Sequence, residues 1–267
     1  MEVTAGPRVG CAGWSVPRAH AGAFPPEGST LERYAQVFDC VEINSSFYRP
    51  HRPATWRRWA DSVPAHFRFA AKMPKAISHE CRLRGCDEAV DAFLEQVGEL
   101  QGKLGWLLLQ LPPSLAFDAA VALPFFEHLR RRYPGALACE PRHPSWFRAG
   151  VDRALRQLQV ARVAADPARV PRAALPGGDR SRIYLRLHGS PRMYYDAYAP
   201  QVLERVAEGL RRAPEAWCIF DNTALGHATG DGLLLKRMLG AQAEAPPPAL
   251  RAPSGVERGK NRRRGAS

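Results

Sequence analysis

The sequence predicts an α/β protein built as one (β/α)8 barrel with a basic tail, and three observations support this. Eight short apolar segments alternate with helical patterns along the first 240 residues. Such alternation implies parallel strands joined by right-handed crossovers, and eight of these units are the number needed to close a barrel. A chain of 267 residues, 45% of them hydrophobic, is long enough to bury the core of such a domain.

The eight strands are predicted from short runs of apolar residues, several of which alternate with polar ones. In chain order they cover 8–13, 40–48, 67–74, 105–112, 136–143, 160–166, 183–189 and 216–223. An open doubly wound sheet is the rival arrangement. It is disfavoured because "GCAGWS", in and after the first strand, does not fit the G-x-G-x-x-G phosphate loop of that fold.

Helices are predicted in seven of the connections: 29–38, 53–61, 87–100, 121–132, 151–158, 200–212 and 228–239. The clearest is 87–100, where Val90, Phe93 and Val97 recur on one stripe with the period of an α-helix. The connection "PARVPRAALPGGDR" after the sixth strand is too rich in proline and glycine for a regular helix.

The composition changes after residue 240. Residues 241–267 combine low hydrophobicity, four prolines and clustered arginines, which predicts a disordered tail after a barrel domain spanning 1–240. The tail is expected to be either a solvated segment or a nonspecific arm for nucleic acid. The formal net charge of the whole chain, +12, also favours an anionic partner.

Several protein classes are excluded by the sequence. No apolar run reaches the roughly 18 residues of a membrane helix, so no membrane partner is expected. The first residues lack the positive and then apolar pattern of a secretory signal, so a cytoplasmic location is expected. The six cysteines include no C-x-x-C pair and lie mostly in apolar runs, which favours free thiols over disulfides or a zinc site.

Polar side chains stand two residues apart at the carboxyl ends of three predicted strands. Each such pair lies on one face of its strand, because successive side chains alternate. The intervening apolar residues belong against helices, so the pairs are expected to face the barrel mouth, where active sites of this fold lie. The pairs are Glu42 with Asn44, Glu140 with Arg142, and Arg186 with His188; Lys72, Gln110, Asp166 and Asn222 also end strands.

We predict that these groups form one charged pocket. The predicted catalytic residues are Glu42, Glu140, His188 and Lys72, acting as acids, bases or charge partners. The predicted substrate-binding residues are Trp14, Asn44, Tyr48, Gln110, Arg142, His143, Trp146, Asp166, Arg186 and Asn222.

Two alternatives apply to the charged residues. The Glu42–Arg186 and Glu140–Arg142 pairs can instead be structural salt bridges that neutralise each other. Lys72 is either a charge partner or, if desolvated, an amine able to form a Schiff base. If the pocket is functional, alanine at Arg186 or Glu42 is expected to leave the fold intact and remove ligand binding.

The predicted function is that of an enzyme, a hydrolase, lyase or isomerase, which binds a phosphorylated or nucleotide-like anion and uses acid–base chemistry. A nucleic-acid-binding or processing protein and a non-catalytic interaction barrel are the alternatives. A divalent metal held by Glu42, Glu140, Asp166 and His188 is not favoured, because basic residues interleave with these ligands and no H-x-H or H-E-x-x-H cluster occurs. No cofactor is assigned.

Several ordered blocks resemble the YecE-like family, catalogued as domain of unknown function 72. They include "GCAGWS", "VEINSSFYRP", "LLLQLPPSL", "CEPRHPSWF", "YLRLHGS" and "FDNTALGHA". The resemblance implies a TIM-type (β/α)8 barrel with no established activity, and kinship with endonuclease IV-like barrels is a conjecture. The family's motifs fall on all of the predicted site residues except Asp166, and also on Phe47 and His79. The chain departs from them at Ser78, where threonine is common, and at Asp221, where the family usually has a first asparagine.

Overall fold

The computed structural model describes residues 6–213 and 215–241, and within these ranges the chain forms ten strands and seven α-helices. Each of the eight predicted strand segments contains a strand. The strands are β1 (Arg8–Cys11), β2 (Cys40–Ile43), β3 (Arg68–Lys72), β4 (Leu104–Gln110), β5 (Ala136–Glu140), β6 (Val160–Arg162), β7 (Ala164–Asp166), β8 (Gly177–Gly178), β9 (Ile183–Leu187) and β10 (Ala216–Phe220). The predicted tail, 241–267, lies outside the described residues except for Ala241.

Each of the seven helices overlaps one of the seven predicted helical segments, with ends that differ by up to three residues. They are α1 (Thr30–Ala35), α2 (Pro53–Asp61), α3 (Asp87–Gly98), α4 (Ala119–Arg132), α5 (Ala149–Gln157), α6 (Pro200–Arg211) and α7 (His227–Ala241). α1 begins with a capping box, in which the Ser29 hydroxyl accepts from the Glu32 amide and the Glu32 carboxylate accepts from the Ser29 amide. None of the described helices combines the length and the apolar character needed to cross a bilayer.

The strands form two sheets, and all but one of their pairings are parallel. One sheet has the order β1-β10-β9-β7 and the other β2-β3-β4-β5-β6-β8, with β8 antiparallel to β6. The predicted sixth strand is split: β6 pairs with β5, β7 pairs with β9, and Val163 alone separates them. The α/β class and parallel pairing are therefore confirmed, whereas the hydrogen-bond ladders do not close into one continuous sheet.

β1 and β2 meet at the other boundary between the sheets. They are linked by an isolated parallel bridge between Ala12 and Glu42, and the Gly13 amide donates to the Glu42 carbonyl oxygen at 2.9 Å. A Cβ atom added to Gly10 would lie 2.1 Å from the Cys40 carbonyl oxygen. Glycine at position 10 is thus required by the close approach of the two strands.

Two apolar clusters lie on opposite faces of the strands. One combines residues of the helices with strand residues such as Leu107, Leu109 and Ile43. The other, which we call the strand-only cluster, consists of Ala12, Cys40, Ala70, Trp106, Leu108, Ala136, Ala138, Ala161, Val163, Tyr184, Trp217 and Ile219. Its five alanines leave room for the large rings of Trp106, Tyr184 and Trp217.

The strand-only cluster positions the polar residues that follow it. Each strand contributes alternate residues to one face, so the next member of that face after the apolar ones is polar. On β9 Tyr184 is followed by Arg186, and on β5 Ala138 is followed by Glu140. Polar groups of five strands therefore gather at the carboxyl-terminal end of this cluster.

Candidate active site at the strand ends

Arg186 is the centre of a buried ion cluster. Its guanidinium binds Glu42 through two hydrogen bonds, from Nε to Oε2 at 3.0 Å and from Nη2 to Oε1 at 2.7 Å. Nη1 donates to Glu140 Oε2 at 2.5 Å, and Nη2 also donates to Asp221 Oδ2 at 2.9 Å. Arg186 and Glu42 are both fully buried, so the paired charges compensate each other in place of water.

Glu140 also accepts hydrogen bonds from two further residues, one at the end of β4 and one in the loop after β5. Its Oε1 accepts from Gln110 Nε2 at 3.1 Å and from Arg142 Nε at 3.0 Å. Burial alone would raise the pKa of Glu140, but the charges of Arg186, His188 and Arg142 outweigh it and hold the pKa well below its ordinary value. Glu140 is therefore an ionised carboxylate at neutral pH.

His188 lies between two carboxylates. Its Nδ1 is 3.0 Å from Asp221 Oδ2, and its Nε2 is 3.3 Å from Glu140 Oε1, an ion-pair distance without hydrogen-bond geometry. Burial would lower the pKa of His188, but Glu140 and the hydrogen bond to Asp221 raise it overall. The imidazole is thus held toward its protonated form, in which both nitrogens carry hydrogens.

Lys72 is the cation of the site that has no carboxylate partner. Within residues 6–213 and 215–241 its amine makes no hydrogen bond and no ion pair, and Nζ instead lies 4.2 Å from the centre of the Phe47 ring. Burial and the Arg186 charge lower the pKa of Lys72 to about 8, against the opposing attraction of Glu42, Asp221 and Glu140. A large fraction of its amines is therefore neutral near pH 8.

His79, Arg142 and Tyr194 complete the half-buried side of the cluster. The Phe47 ring that contacts Lys72 also packs edge-on against His79, whose Nδ1 is 2.8 Å from the Ser78 hydroxyl. Burial and then the charges of Lys72 and Arg142 lower the pKa of His79, which places it near both cations. Arg142 Nη2 donates to the Tyr194 hydroxyl at 3.1 Å.

The structure brings seven of the predicted residues into one cluster. The two salt bridges foreseen as the structural alternative, Glu42–Arg186 and Glu140–Arg142, are both present. Arg186 has no surface free for a ligand, which corrects its predicted role as a substrate contact. The residues brought together are Glu42, Lys72, Gln110, Glu140, Arg142, Arg186 and His188.

Two predicted residues lie on the wrong face of their strands. The residue of β7 that packs on the strand-only cluster is Ala165, whereas the backbone oxygen of Asp166 accepts from His188 N and from the Tyr198 hydroxyl. Asn222 is fully buried, and its Nδ2 donates to the Asp231 carboxylate and the Asp196 carbonyl oxygen. Both residues therefore hold loops in place and do not line the cluster.

Three aromatic or imidazole residues of the predicted site make contacts other than those of the ion cluster. Trp146 is buried, packs against Phe117 and Phe126, and donates from Nε1 to the Leu115 carbonyl oxygen, so it belongs to the core. Tyr48 is 66% exposed and lies beside an apolar cavity of about 370 Å³ outside the cluster. His143 Nδ1 accepts from the Ser145 amide and caps the turn Pro144–Phe147.

Trp14 and Asn44 are placed beside the cluster in a separate cavity. This cavity of about 390 Å³ is also lined by Gly13, Ser15, Thr30 and Ser45. The buried Oδ1 of Asn44 has no hydrogen-bond partner among the described residues. Neither residue contacts the ion cluster, so substrate binding by Trp14 and Asn44 stays a prediction.

Sequence reasoning missed Asp221, Tyr184 and Tyr194 as members of the site. Asp221 is two residues beyond Ile219 and shares its face, so strict alternation along β10 would have selected it in place of Asn222. The Tyr184 hydroxyl donates to Glu42 Oε2 at 2.9 Å from the same face of β9 as Arg186. Tyr194 lies in a loop, and no periodic pattern points to it.

The metal alternative finds no support in the geometry. Glu42 and Glu140 direct their carboxylates at Arg186, which lies between them. Within the part of the chain that the structure describes, no three His, Cys, Asp or Glu side chains are arranged to hold a metal ion. All six cysteines are free thiols.

Comparisons with known proteins place this chain in a family. A family model described as "Protein of unknown function DUF72" matches residues 8–254. YecE of Escherichia coli K12 is 35% identical over 161 residues, 58% of this chain and 58% of YecE, so the match spans less than two thirds of that protein. YunF of Bacillus subtilis 168 is 22% identical over 269 residues, covering 86% of this chain and 94% of YunF.

Two solved structures resemble the fold. A DUF72 family protein of Thermotoga maritima MSB8 has 26% identity and a TM-score of 0.74, covering 88% of this chain and 100% of that one. One from Enterococcus faecalis V583 has 21% identity and a TM-score of 0.74, covering 88% of this chain and 95% of that one. Because the family model spans most of the sequence, this chain belongs to the DUF72 family, which is described as having no known function.

Proposed function

We propose that this protein is an enzyme that binds a small anionic substrate above the ion cluster and acts on it by proton transfer. The observation that carries the proposal is the asymmetry of the cluster. The carboxylates of Glu42, Glu140 and Asp221 are bound by Arg186 beneath, whereas the half-buried side presents Lys72, His79 and Arg142. Groups of this kind favour an anion such as a phosphate or carboxylate.

The residues then have distinct roles. Arg142 binds the anion, because its Nη1 has no hydrogen-bond partner among the described residues and its side chain is 15% exposed. His188 is a general acid, since Glu140 and Asp221 favour its protonated form. Glu42 is a positioning residue that holds Arg186. Hydrolases, lyases and isomerases all fit this proton transfer.

The proposal includes one closed (β/α)8 barrel as the architecture of the site. Two features support closure: β6 and β7 lie on one extended stretch of chain, and Ala12 bridges to Glu42 between β1 and β2. Arg186 also binds Glu42 across the two sheets, β9 being in one and β2 in the other. In a barrel, the ion cluster lies at the carboxyl-terminal mouth.

Arg142→Ala is expected to weaken the binding of inorganic phosphate by about tenfold or more, because a charge-assisted hydrogen bond contributes about 1.5–3 kcal/mol. Titration calorimetry at constant ionic strength measures the dissociation constant. Arg148→Ala, at an exposed position after the same strand, is the matched control and is expected to leave it unchanged. Equal binding by both variants contradicts the proposal, and no phosphate binding by the parent favours a non-catalytic interaction barrel.

A second candidate function, nucleic-acid binding, is favoured by a different surface. A cavity of about 370 Å³ is lined by Arg153, Arg156, Arg162, Arg172 and Arg180. Asp152 pairs with Arg162 there, with Nε 2.8 Å from Oδ1. Within the described ranges, the other four arginines have no carboxylate within ion-pairing distance, so this patch carries an excess of positive charge suited to phosphates.

The double variant Arg153→Glu, Arg180→Glu tests this candidate. The affinity of the parent for a duplex oligonucleotide should fall steeply with salt, by a slope of about 0.9 per phosphate contact. The variant should bind more weakly and with a smaller slope, whereas Arg49→Glu, an exposed change outside the patch, should not alter the slope. Fluorescence anisotropy over a range of salt concentrations measures both. A slope near zero for the parent rules out this function.

A further inference from the structure

We propose that Lys72 is a nucleophile that forms an imine with the aldehyde or ketone group of the substrate, a proposal that rests on the anion-binding function above. The substrate class is therefore a small carbonyl compound that also carries an anionic group. In this arrangement Arg142 holds the anionic group, and the carbonyl carbon lies against the amine of Lys72.

The position of Lys72 meets the geometric needs of such a nucleophile. It ends β3 on the same face as Ala70 of the strand-only cluster, and the residue is 4% exposed. The Ser46 hydroxyl donates to its backbone oxygen at 2.7 Å, which fixes the base of the side chain. The amine rests on the face of Phe47 and makes no hydrogen bond with the described residues, so its lone pair is free once the proton is lost.

The charges around Lys72 help to explain why the pKa of its amine is lowered and why the amine has no ionic partner. The cation that faces it is Arg186 of β9, and the charges of Lys72 and Arg142 both act on His79, after β3, whose pKa is lowered first by burial and then by these two charges. The carboxylates that also face Lys72 are those of Glu42, Glu140 and Asp221. Their oxygens are bound by Arg186, so they do not form an ion pair with the lysine. An amine that is desolvated and next to another cation is the arrangement that activates lysine nucleophiles.

The reaction balances with groups of this site. The neutral amine adds to the carbonyl carbon and gives a carbinolamine after one proton moves from nitrogen to oxygen. A second proton reaches that oxygen from an acid of the site, such as the His188 imidazolium, and water leaves as the C=N bond forms. No oxidant or reductant is needed. Hydrolysis reverses the sequence and restores the free lysine.

Reductive trapping tests the proposal. The full-length protein is treated near pH 7.5 with a limiting amount of glyoxylate, an anionic aldehyde, and sodium cyanoborohydride, which converts an imine to a stable secondary amine. Peptide mass spectrometry locates the carboxymethyl group among the five lysines of the chain, Lys72, Lys75, Lys103, Lys236 and Lys260. We expect Lys72 to react at least about tenfold faster than each of the others, and Lys72→Met to lose this labelling while the exposed Lys75→Met keeps it.

Three further outcomes separate the two proposals, with neutral propionaldehyde as the comparison probe. Faster labelling of Lys72 by glyoxylate than by propionaldehyde supports both. Equal labelling of Lys72 by the two aldehydes supports the nucleophile and overturns recognition of the anion. Phosphate binding that depends on Arg142, together with labelling of Lys72 no faster than that of Lys75, overturns the nucleophile and leaves the anion-binding function standing.

Discussion

Arg186→Met is expected to lower the free energy of unfolding by about 3–5 kcal/mol at neutral pH. The change removes the cation that binds three buried carboxylates, and a buried charge left without its partner costs this amount. The loss is large beside the net stability of a typical domain, about 5–15 kcal/mol. Urea unfolding followed by circular dichroism measures it.

The pH dependence of this loss has a defined sign. In the parent, Arg186 helps to hold the pKa values of Glu140 and Asp221 below their ordinary values, so it contributes stability that is present above about pH 4 and lost as the pH falls through the lowered values. The difference between parent and Arg186→Met should therefore persist from neutral pH down to about pH 4 and shrink as the pH falls further.

Two further variants keep the result interpretable. Arg182→Met removes an exposed arginine of the same segment that pairs with Glu215, and a change of less than about 0.5 kcal/mol is expected. The double variant Arg186→Met, Glu42→Leu should recover part of the loss, because one unpaired carboxylate is removed with the arginine. A stability of Arg186→Met equal to that of Arg182→Met would contradict the role assigned to the ion cluster.

The stability loss expected for Arg186→Met contradicts the expectation drawn from the sequence alone. From the sequence, alanine at Arg186 or Glu42 leaves the fold intact and removes ligand binding. In the structure, Arg186 is fully buried with its donors directed at Glu42, Glu140 and Asp221, so its first effect is on stability. If this variant fails to bind ligand, the failure therefore reflects its loss of stability first and a lost ligand contact only second.

Lys72→Met is expected to raise the free energy of unfolding by up to roughly 3 kcal/mol at pH 7. The folded state lowers the pKa of Lys72 from 10.5 to about 8, and each unit of such a shift corresponds to about 1.4 kcal/mol against the charged form. Methionine has a similar length and no charge, so it fills the space against Phe47 without the desolvation cost. The variant is expected to be stable and to lose the imine.

The gain should disappear as the pH rises. Below about pH 8 the folded and the unfolded lysine are both protonated, and the folded state bears the full cost. Between about pH 8 and pH 10.5 the folded lysine releases its proton before the unfolded one, so the parent gains stability and approaches Lys72→Met.

Lys75→Met is the control for the lysine variant. Lys75 is exposed and pairs with Glu80 at the surface, so its replacement should change stability by less than about 0.5 kcal/mol at every pH. Thermal unfolding in a series of buffers compares the three proteins. A Lys72→Met variant less stable than the parent at pH 7 would show that the lysine contributes favourably to folding and would contradict a desolvated amine.

Much of the fold follows from local patterns in the sequence. The stripe of Val90, Phe93 and Val97 predicts α3, and all three are buried. The pairs Glu140/Arg142 and Arg186/His188 predict the cluster, because alternation depends on local geometry alone. The division of the sixth strand at Val163 is not predictable in this way, since it depends on which neighbours each half meets.

The remaining errors have two physical causes. Asn222 and Asp166 were selected because they end their strands, whereas alternation places Asp221 and Ala165 on the face of the cluster. Trp146 was selected because it follows a strand, but a large ring there is equally suited to packing, and the contact with Phe126 of α4 decides the matter. Such contacts join distant parts of the chain and leave no local pattern.

The bonds of Arg186 also constrain the order in which a growing chain can compact. They join residues 144, 46 and 35 positions apart in the sequence, and two of the acidic partners are synthesised before the arginine. A nascent chain that ends before β9 has the carboxylates of Glu42 and Glu140 but not their common cation. Burying these carboxylates at that stage is unfavourable, because they would lose their hydration without gaining an ionic partner. We therefore expect the chain to become fully compact only after β9 and β10 have left the ribosome.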